Sequence, residues 1–169
     1  MKSAVVVADT SPLIALAVMD LLPVLNVLFK TVLVPSAVVT ECLDNLSKPK
    51  ATVISSALSD KLLIEQSVDN RSYCALLANV LGPGEAEAIA LAKELNVAAL
   101  IDERAARAVA IRENITCIGS FYVLIKAKQK NLIPAAAPLL TKLIDHGYHV
   151  SDALINYVLD VCDEIPLSK

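Results

Sequence analysis

Gly84-Glu85-Ala86-Glu87-Ala88-Ile89-Ala90-Leu91-Ala92 leads through Lys93-Glu94-Leu95-Asn96 into Val97-Ala98-Ala99-Leu100-Ile101-Asp102. The first part is dense in strong helix formers and follows the loop Gly82-Pro83-Gly84, so it predicts a helix over Glu85–Leu95. The last part is a short apolar run closed by an acid. It predicts a strand over Val97–Ile101 buried on both faces. A helix followed by a wholly apolar strand is the unit from which a parallel sheet covered on two sides is built.

The same alternation extends outward. Lys2–Ala8, Thr31–Val34 and Ile115–Ile118 read as further strands, with a weaker one at Leu62–Ile64. Helices are expected after Ser11-Pro12, with Ser11 as cap and Pro12 as first residue, and from Pro35-Ser36 to about Asp44. A polar turn, Asn45–Lys50, precedes a helix over Ala51–Asp60. Further helices are expected over Glu103–Glu113, Ser120–Lys130, Ala136–His146 with Gly147 closing it, and Ser151–Val161. The fold class is α/β with a mainly parallel sheet. A single domain over residues 1–169 is expected, with a core at about 3–130 and a helical tail at about 135–163.

Composition narrows the function classes. Apolar residues make up 56% and charged residues 20%, which excludes intrinsic disorder. Aromatics are 4% with no Trp, which speaks against stacking platforms of the RRM or OB type. A mean hydropathy of +0.60 points to a covered oligomer surface or partner groove. The apolar stretch Pro12–Val34 is interrupted by Asp20, Pro23, Asn26 and Lys30, and the N-terminus lacks the order of a signal peptide, so no membrane span and a cytoplasmic location are expected. Cys42, Cys74, Cys117 and Cys162 are widely spaced without a CxxC pair, which argues for reduced thiols and against zinc. Between Glu103 and Lys142 lie Arg104, Arg107, Arg112, Lys126, Lys128, Lys130 and Lys142 against only Glu103 and Glu113. That stretch is +5, and the rest of the chain carries −8. An acidic site beside a basic surface suits an enzyme that holds a cation and acts on a polyanion; solvated helix faces give the plainer explanation.

Ligands of open parallel sheets bind outside the carboxyl ends of the strands. Asp9 and Asp102 each follow an apolar strand there, although an Asx turn at Asp9 or a helix cap at Asp102 would also account for them. On a wheel at about 100° per residue, Glu85 falls in the stripe of Ala88, Ile89, Ala92 and Leu95, with Glu87 and Glu94 opposite. Its place in the first turn also suits the helix dipole. Glu41 lies at the rim of the side formed by Val38, Cys42 and Leu46, where an ordinary surface Glu is equally explained. Four carboxylates converging on one edge repel one another, and a hard cation such as Mg²⁺ or Mn²⁺ resolves that conflict. Such a site activates water and clamps a phosphodiester. No triad, P-loop or zinc pattern is present. His146 and His149 flank Gly147 as loop residues, and Asp152 follows the Ser151 cap. A phosphoacceptor using Asp9 ranks low, because Ser11 stands where a haloacid-type phosphatase has a second Asp.

Taken in order, Asp9-Thr10-Ser11, Val34-Pro35, Val38-Val39-Thr40-Glu41, Gly84–Ala92 and Leu100-Ile101-Asp102-Glu103 resemble the PIN domain family, and most of all its prokaryotic branch of nucleic-acid-binding proteins. The resemblance implies a three-layer α/β/α fold and a Mg²⁺- or Mn²⁺-dependent endoribonuclease. Many relatives are VapC-type toxins paired with a small antitoxin, and a homodimer is the family habit. It places metal-binding and catalytic roles on Asp9, Glu41, Glu85 and Asp102. Ser11 is then the hydroxyl near the first acid, and Arg104 and Arg107 are candidates for the RNA phosphates. Two departures stand out. The third acid is Glu85 where Asp is usual, and Gly119-Ser120 occupy the place of a further acid. They motivate the competing reading, a catalytically inactive PIN-like module that binds nucleic acid or protein.

Overall fold

A computed structural model describes residues 5–44 and 49–165. Five parallel strands, β1 (Val6–Ala8), β2 (Val32–Pro35), β3 (Ile64–Gln66), β4 (Ala98–Leu100) and β5 (Cys117–Ile118), form one sheet in the order β3-β2-β1-β4-β5. The chain starts in the middle, winds to one edge through β2 and β3, then returns to the other side of β1 through β4 and β5. The direction of winding therefore reverses at the β1–β4 junction, where open α/β sheets form a crevice at their carboxyl ends.

Each central strand feeds two cores, as its unbroken apolar run requires. Val6, Ala8 and Leu100 join one cluster, while Val7, Ala99 and Ile101 join another on the opposite face. The first core collects α1 (Thr10–Val18), α2 (Leu22–Leu28), α4 (Pro49–Ser59), α8 (Ser120–Gln129), α9 (Ala137–Asp145) and α10 (Asp152–Val161). The second collects α5 (Arg71–Leu77), α6 (Pro83–Leu95) and α7 (Arg104–Arg112). Between β2 and α4, α3 (Ser36–Leu43) buries Val38 and Cys42 in the first core and packs against α6. The result is the expected three-layer α/β/α arrangement. Lys2–Ala4 of the expected first strand and residues 45–48 of the expected polar turn lie outside the described residues.

Several local expectations are corrected. Helix α1 begins at Thr10, so Ser11 lies in its first turn, and Asp9 occupies the cap position without making a side-chain cap bond. Helix α6 was expected to bury one narrow stripe. It contacts α3, α5, α7 and the sheet, so Ala86, Ala88, Ile89, Ala90, Leu91 and Ala92 are all buried, whereas Leu95 is exposed. The weak strand shifts to Ile64–Gln66 and is exposed throughout, as an edge strand beyond β2 allows. Gly147, at φ +85°, ends α9 as expected, and Ser151 Oγ accepts the Leu154 N–H to open α10. Helices α9 and α10 are held to the core. Glu164 accepts the N–H groups of Ala136 (2.7 Å) and Ala137 (2.9 Å) and pairs with Lys128, and Lys142 pairs with Asp20. Among the described residues no single helix is long and apolar enough to cross a membrane. The apolar pair α1 and α2 is bent by 112°. All four cysteines are free thiols.

Candidate functional site

The crevice at the β1–β4 junction is where Asp9 and Asp102 emerge. Asp9 leaves β1 with its N–H bonded to Leu100 O of β4 (3.0 Å) and with its side chain only 1% exposed. Its Oδ1 is buried without a hydrogen-bond partner. Burial pushes the Asp9 carboxyl up to about 7. The negative charges of Glu85, Glu41 and Asp102 add to that, and the Thr10 N–H works against it. The four expected acids thus share one edge closely enough to act on Asp9 electrostatically.

Each of the other three is held by a backbone or hydroxyl donor. Glu41, exposed on α3, accepts the Gly84 N–H at Oε1 (2.8 Å) and the Thr10 hydroxyl at Oε2. Gly84 is required for that approach, since a Cβ there would lie 2.5 Å from Glu41 Oε2. Glu85 is half-buried at the third position of α6 and accepts the N–H of the N-cap residue Gly82 at Oε2 (3.0 Å), the half of a capping box that a glycine cap allows. Its first-turn role and its place at the edge are therefore both real. Asp102 does not cap α7, whose cap position is Glu103. Its Oδ1 accepts the Ser120 N–H (2.7 Å) instead. Burial raises the Asp102 carboxyl, opposed by Ser120 and by the Arg107 charge. Gly119 adjoins this carboxylate, with its would-be Cβ 3.2 Å from Asp102 Oδ1. An acid in that place would crowd Asp102, and the Gly119-Ser120 pair supplies a donor to it instead.

Arg107 reaches back from α7, donating from Nη1 to Ile101 O (2.6 Å). It lines a cleft of about 610 Å³ together with Ser11, Asp102, Phe121, Tyr148 and His149. Arg104 is exposed at the start of α7 and stands outside this lining. The basic stretch does not form one free surface either, because Lys142 and Lys128 are tied to Asp20 and Glu164. Cys42 lies near the site, but burial pushes its thiol up to about 12, which leaves it inert.

Sequence reasoning gave no role to Thr10, Gly84, Ser120 or Tyr148, and it read His149 as a loop residue beside Gly147. The first three act through single bonds that carry no periodic signal. It also put Glu87 on the solvent side of α6. Glu87 is in fact only 13% exposed. It accepts the Ala37 N–H at the start of α3 (2.8 Å) and pairs with Arg71 of α5 (2.6 Å), because α6 is enclosed by both helices.

A family model described as a PIN domain matches residues 5–164, nearly the whole chain and including both C-terminal helices. The three-layer α/β/α fold around a five-stranded parallel sheet agrees with that class, and the chain belongs to the PIN domain family. PIN domains are typically nucleases and generally depend on a divalent metal. No curated protein and no solved structure matches the chain.

The donor set suits a hard cation in kind: all carboxylate oxygens, with one buried oxygen on Asp9 left without a partner. Among the described residues, however, no three His, Cys, Asp or Glu side chains form a group that could hold a metal ion. The bonds from Thr10 and Gly84 to Glu41, and from Gly82 to Glu85, hold two of the four carboxylates on protein donors.

Proposed function

We propose that the chain is a Mg²⁺- or Mn²⁺-dependent endoribonuclease that hydrolyses RNA phosphodiester bonds at the Asp9 edge. The observation that supports this most is Asp9 itself, a carboxylate buried to 1% exposure with an orphaned oxygen and three further acids acting on it. A structural role would favour an apolar residue or a satisfied one, since unpaired burial of a polar group costs several kcal/mol. Asp9, Glu41, Glu85 and Asp102 would hold the cation by closing around it from their present spacing, in which no three of them form a metal-holding group. When bound, such an ion polarises the phosphodiester and activates the attacking water.

The chain's own residues do the rest. Ser120 fixes Asp102 by its N–H, and Thr10 and Gly84 hold Glu41. Arg107 spends one donor on Ile101 O and keeps the others for a phosphate at the cleft beside Ser11. A toxin role with a small antitoxin, a homodimer and a cytoplasmic location belong to the same proposal. Exposed apolar side chains such as Leu76 and Val80 support a covered surface.

The second reading, a PIN module that binds without cutting, is favoured by the hydrogen bonds that occupy both Glu41 oxygens. Calorimetric titration with Mn²⁺ separates the two. The nuclease reading predicts saturable binding that Asp9→Asn abolishes; no binding by the folded wild-type chain would favour the module.

A further inference from the structure

The wall that α9 and α10 contribute to the cleft has no part in the chemistry above. Aromatic side chains are scarce in this protein: four Tyr, two Phe and no Trp. Yet one Phe and one Tyr, Phe121 and Tyr148, line this single cleft with His149, one of the two histidines. They share it with Asp102 and Arg107. The cleft thus combines charged groups at the carboxylate edge with aromatic rings. A nucleotide combines the same two chemistries, a charged phosphate and a flat base.

We propose that this cleft is a nucleobase subsite, in which Tyr148 and His149 stack a base of single-stranded RNA next to the phosphate held at the carboxylate edge. The proposal rests on the ribonuclease reading and deepens it.

Its volume of about 610 Å³ lies inside the range of roughly 300–1,000 Å³ typical of small-ligand sites. The rings sit on a rigid support. Gly147 turns the chain at φ +85°, and Tyr148 N–H bonds to Leu143 O (3.3 Å). The hairpin is pinned by Lys142–Asp20 and by Glu164 on Ala136 and Ala137. Tyr148 is half-buried against the core, whereas His149 is exposed. Lys50 Nζ lies over one face of the Tyr148 ring, 5.5 Å from its centroid, and helps to fix the ring in place. Burial, with the Asp102 charge adding, holds the Tyr148 phenol above its usual range and so protonated. A base inside a duplex could not reach these rings, so the strand must be single. Stacking tolerates any base, so the subsite favours a strand form over a sequence.

The test uses the wild-type chain in EDTA with a short single-stranded RNA carrying 2-aminopurine. Stacking quenches the probe. Tyr148→Ala and His149→Ala should lose the quench and bind roughly 5- to 100-fold more weakly, the range that base–aromatic stacking spans, whereas Tyr148→Phe should keep both. His149→Ala is the variant least able to disturb folding, because the side chain is exposed. RNA bound with the same quench and affinity by both folded alanine variants overturns the subsite. Cleavage by the wild type with Mn²⁺ in parallel shows which reading has failed. Cutting with an unchanged quench overturns the subsite alone. RNA neither bound nor cut by the wild type overturns the subsite and the nuclease reading together.

Discussion

Asp9 carries a stability signature that can be read without any substrate. Its carboxyl is raised from 3.8 to about 7 in the folded chain, by burial first and by Glu85, Glu41 and Asp102 next. In the unfolded chain it titrates near its ordinary value. Between those two values the native state holds a proton that the unfolded state has released, so unfolding free energy falls as pH rises. Below about 4 the group costs nothing, and above about 7 the full penalty is present. At about 1.4 kcal/mol per unit, the shift from 3.8 to about 7 corresponds to a loss of about 4 kcal/mol. That is a large part of the 5–15 kcal/mol by which domains are typically stable, an order-of-magnitude comparison.

Asp9→Asn removes the titration. Urea unfolding of both proteins at several pH values between 4 and 8, in EDTA, should give curves that diverge as pH rises. The variant should gain on the wild type by several kcal/mol by pH 8. Adding Mg²⁺ at pH 8 should stabilise the wild type, because anything that binds only the folded state does so by mass action, and should leave Asp9→Asn unmoved. Parallel stability–pH curves for the two proteins would refute the reasoning, since they would mean that Asp9 is solvated or already paired.

Gly84→Ala should cost about 1–3 kcal/mol by crowding Glu41, and Glu41→Ala in the same chain should recover part of that loss, as a denaturation double-mutant cycle would show. Glu87→Ala should cost about 1–2 kcal/mol, because it strips the Ala37 N–H of its acceptor. Arg71→Ala should cost well under that in the same assay, since Arg71 is 61% exposed and its pair is weakly held. Gly147→Ala should lower stability by about 1 kcal/mol through its backbone alone, because a Cβ there would touch nothing; a thermal melt checks it.

The fold was legible because its signals are long and apolar. Val5-Val6-Val7-Ala8 and Val97–Ile101 can be nothing but two-faced strands, and the helix between Gly82-Pro83 and Asn96 is bounded by breakers. Helices α2 and α5 escaped notice for the opposite reason. Each spans seven residues, too short for a period to show, and α2 carries Pro23 near its start. The only local sign for α5 is Asn70, whose side chain accepts the Tyr73 N–H.

Placement of the acids followed from strand ends, and Asp9 and Asp102 do sit on one edge. What the acids bond to was not legible. Whether a Glu at a helix rim faces water or takes Thr10 and Gly84 depends on how α3 meets α1 and α6, a tertiary fact. The wheel misjudged Glu87 on the same ground, because it assumes one buried face and α6 has more. The cleft joins Ser11 to His149 across most of the chain, so neither could announce the other.

Cleavage of a mixed RNA pool is the most direct test, comparing the wild-type chain with Asp9→Asn in Mn²⁺, in Mg²⁺ and in EDTA. The account predicts cutting by the wild type with either metal, none in EDTA and none by the folded variant. Equal cutting by Asp9→Asn, or cutting that persists in EDTA, would contradict it.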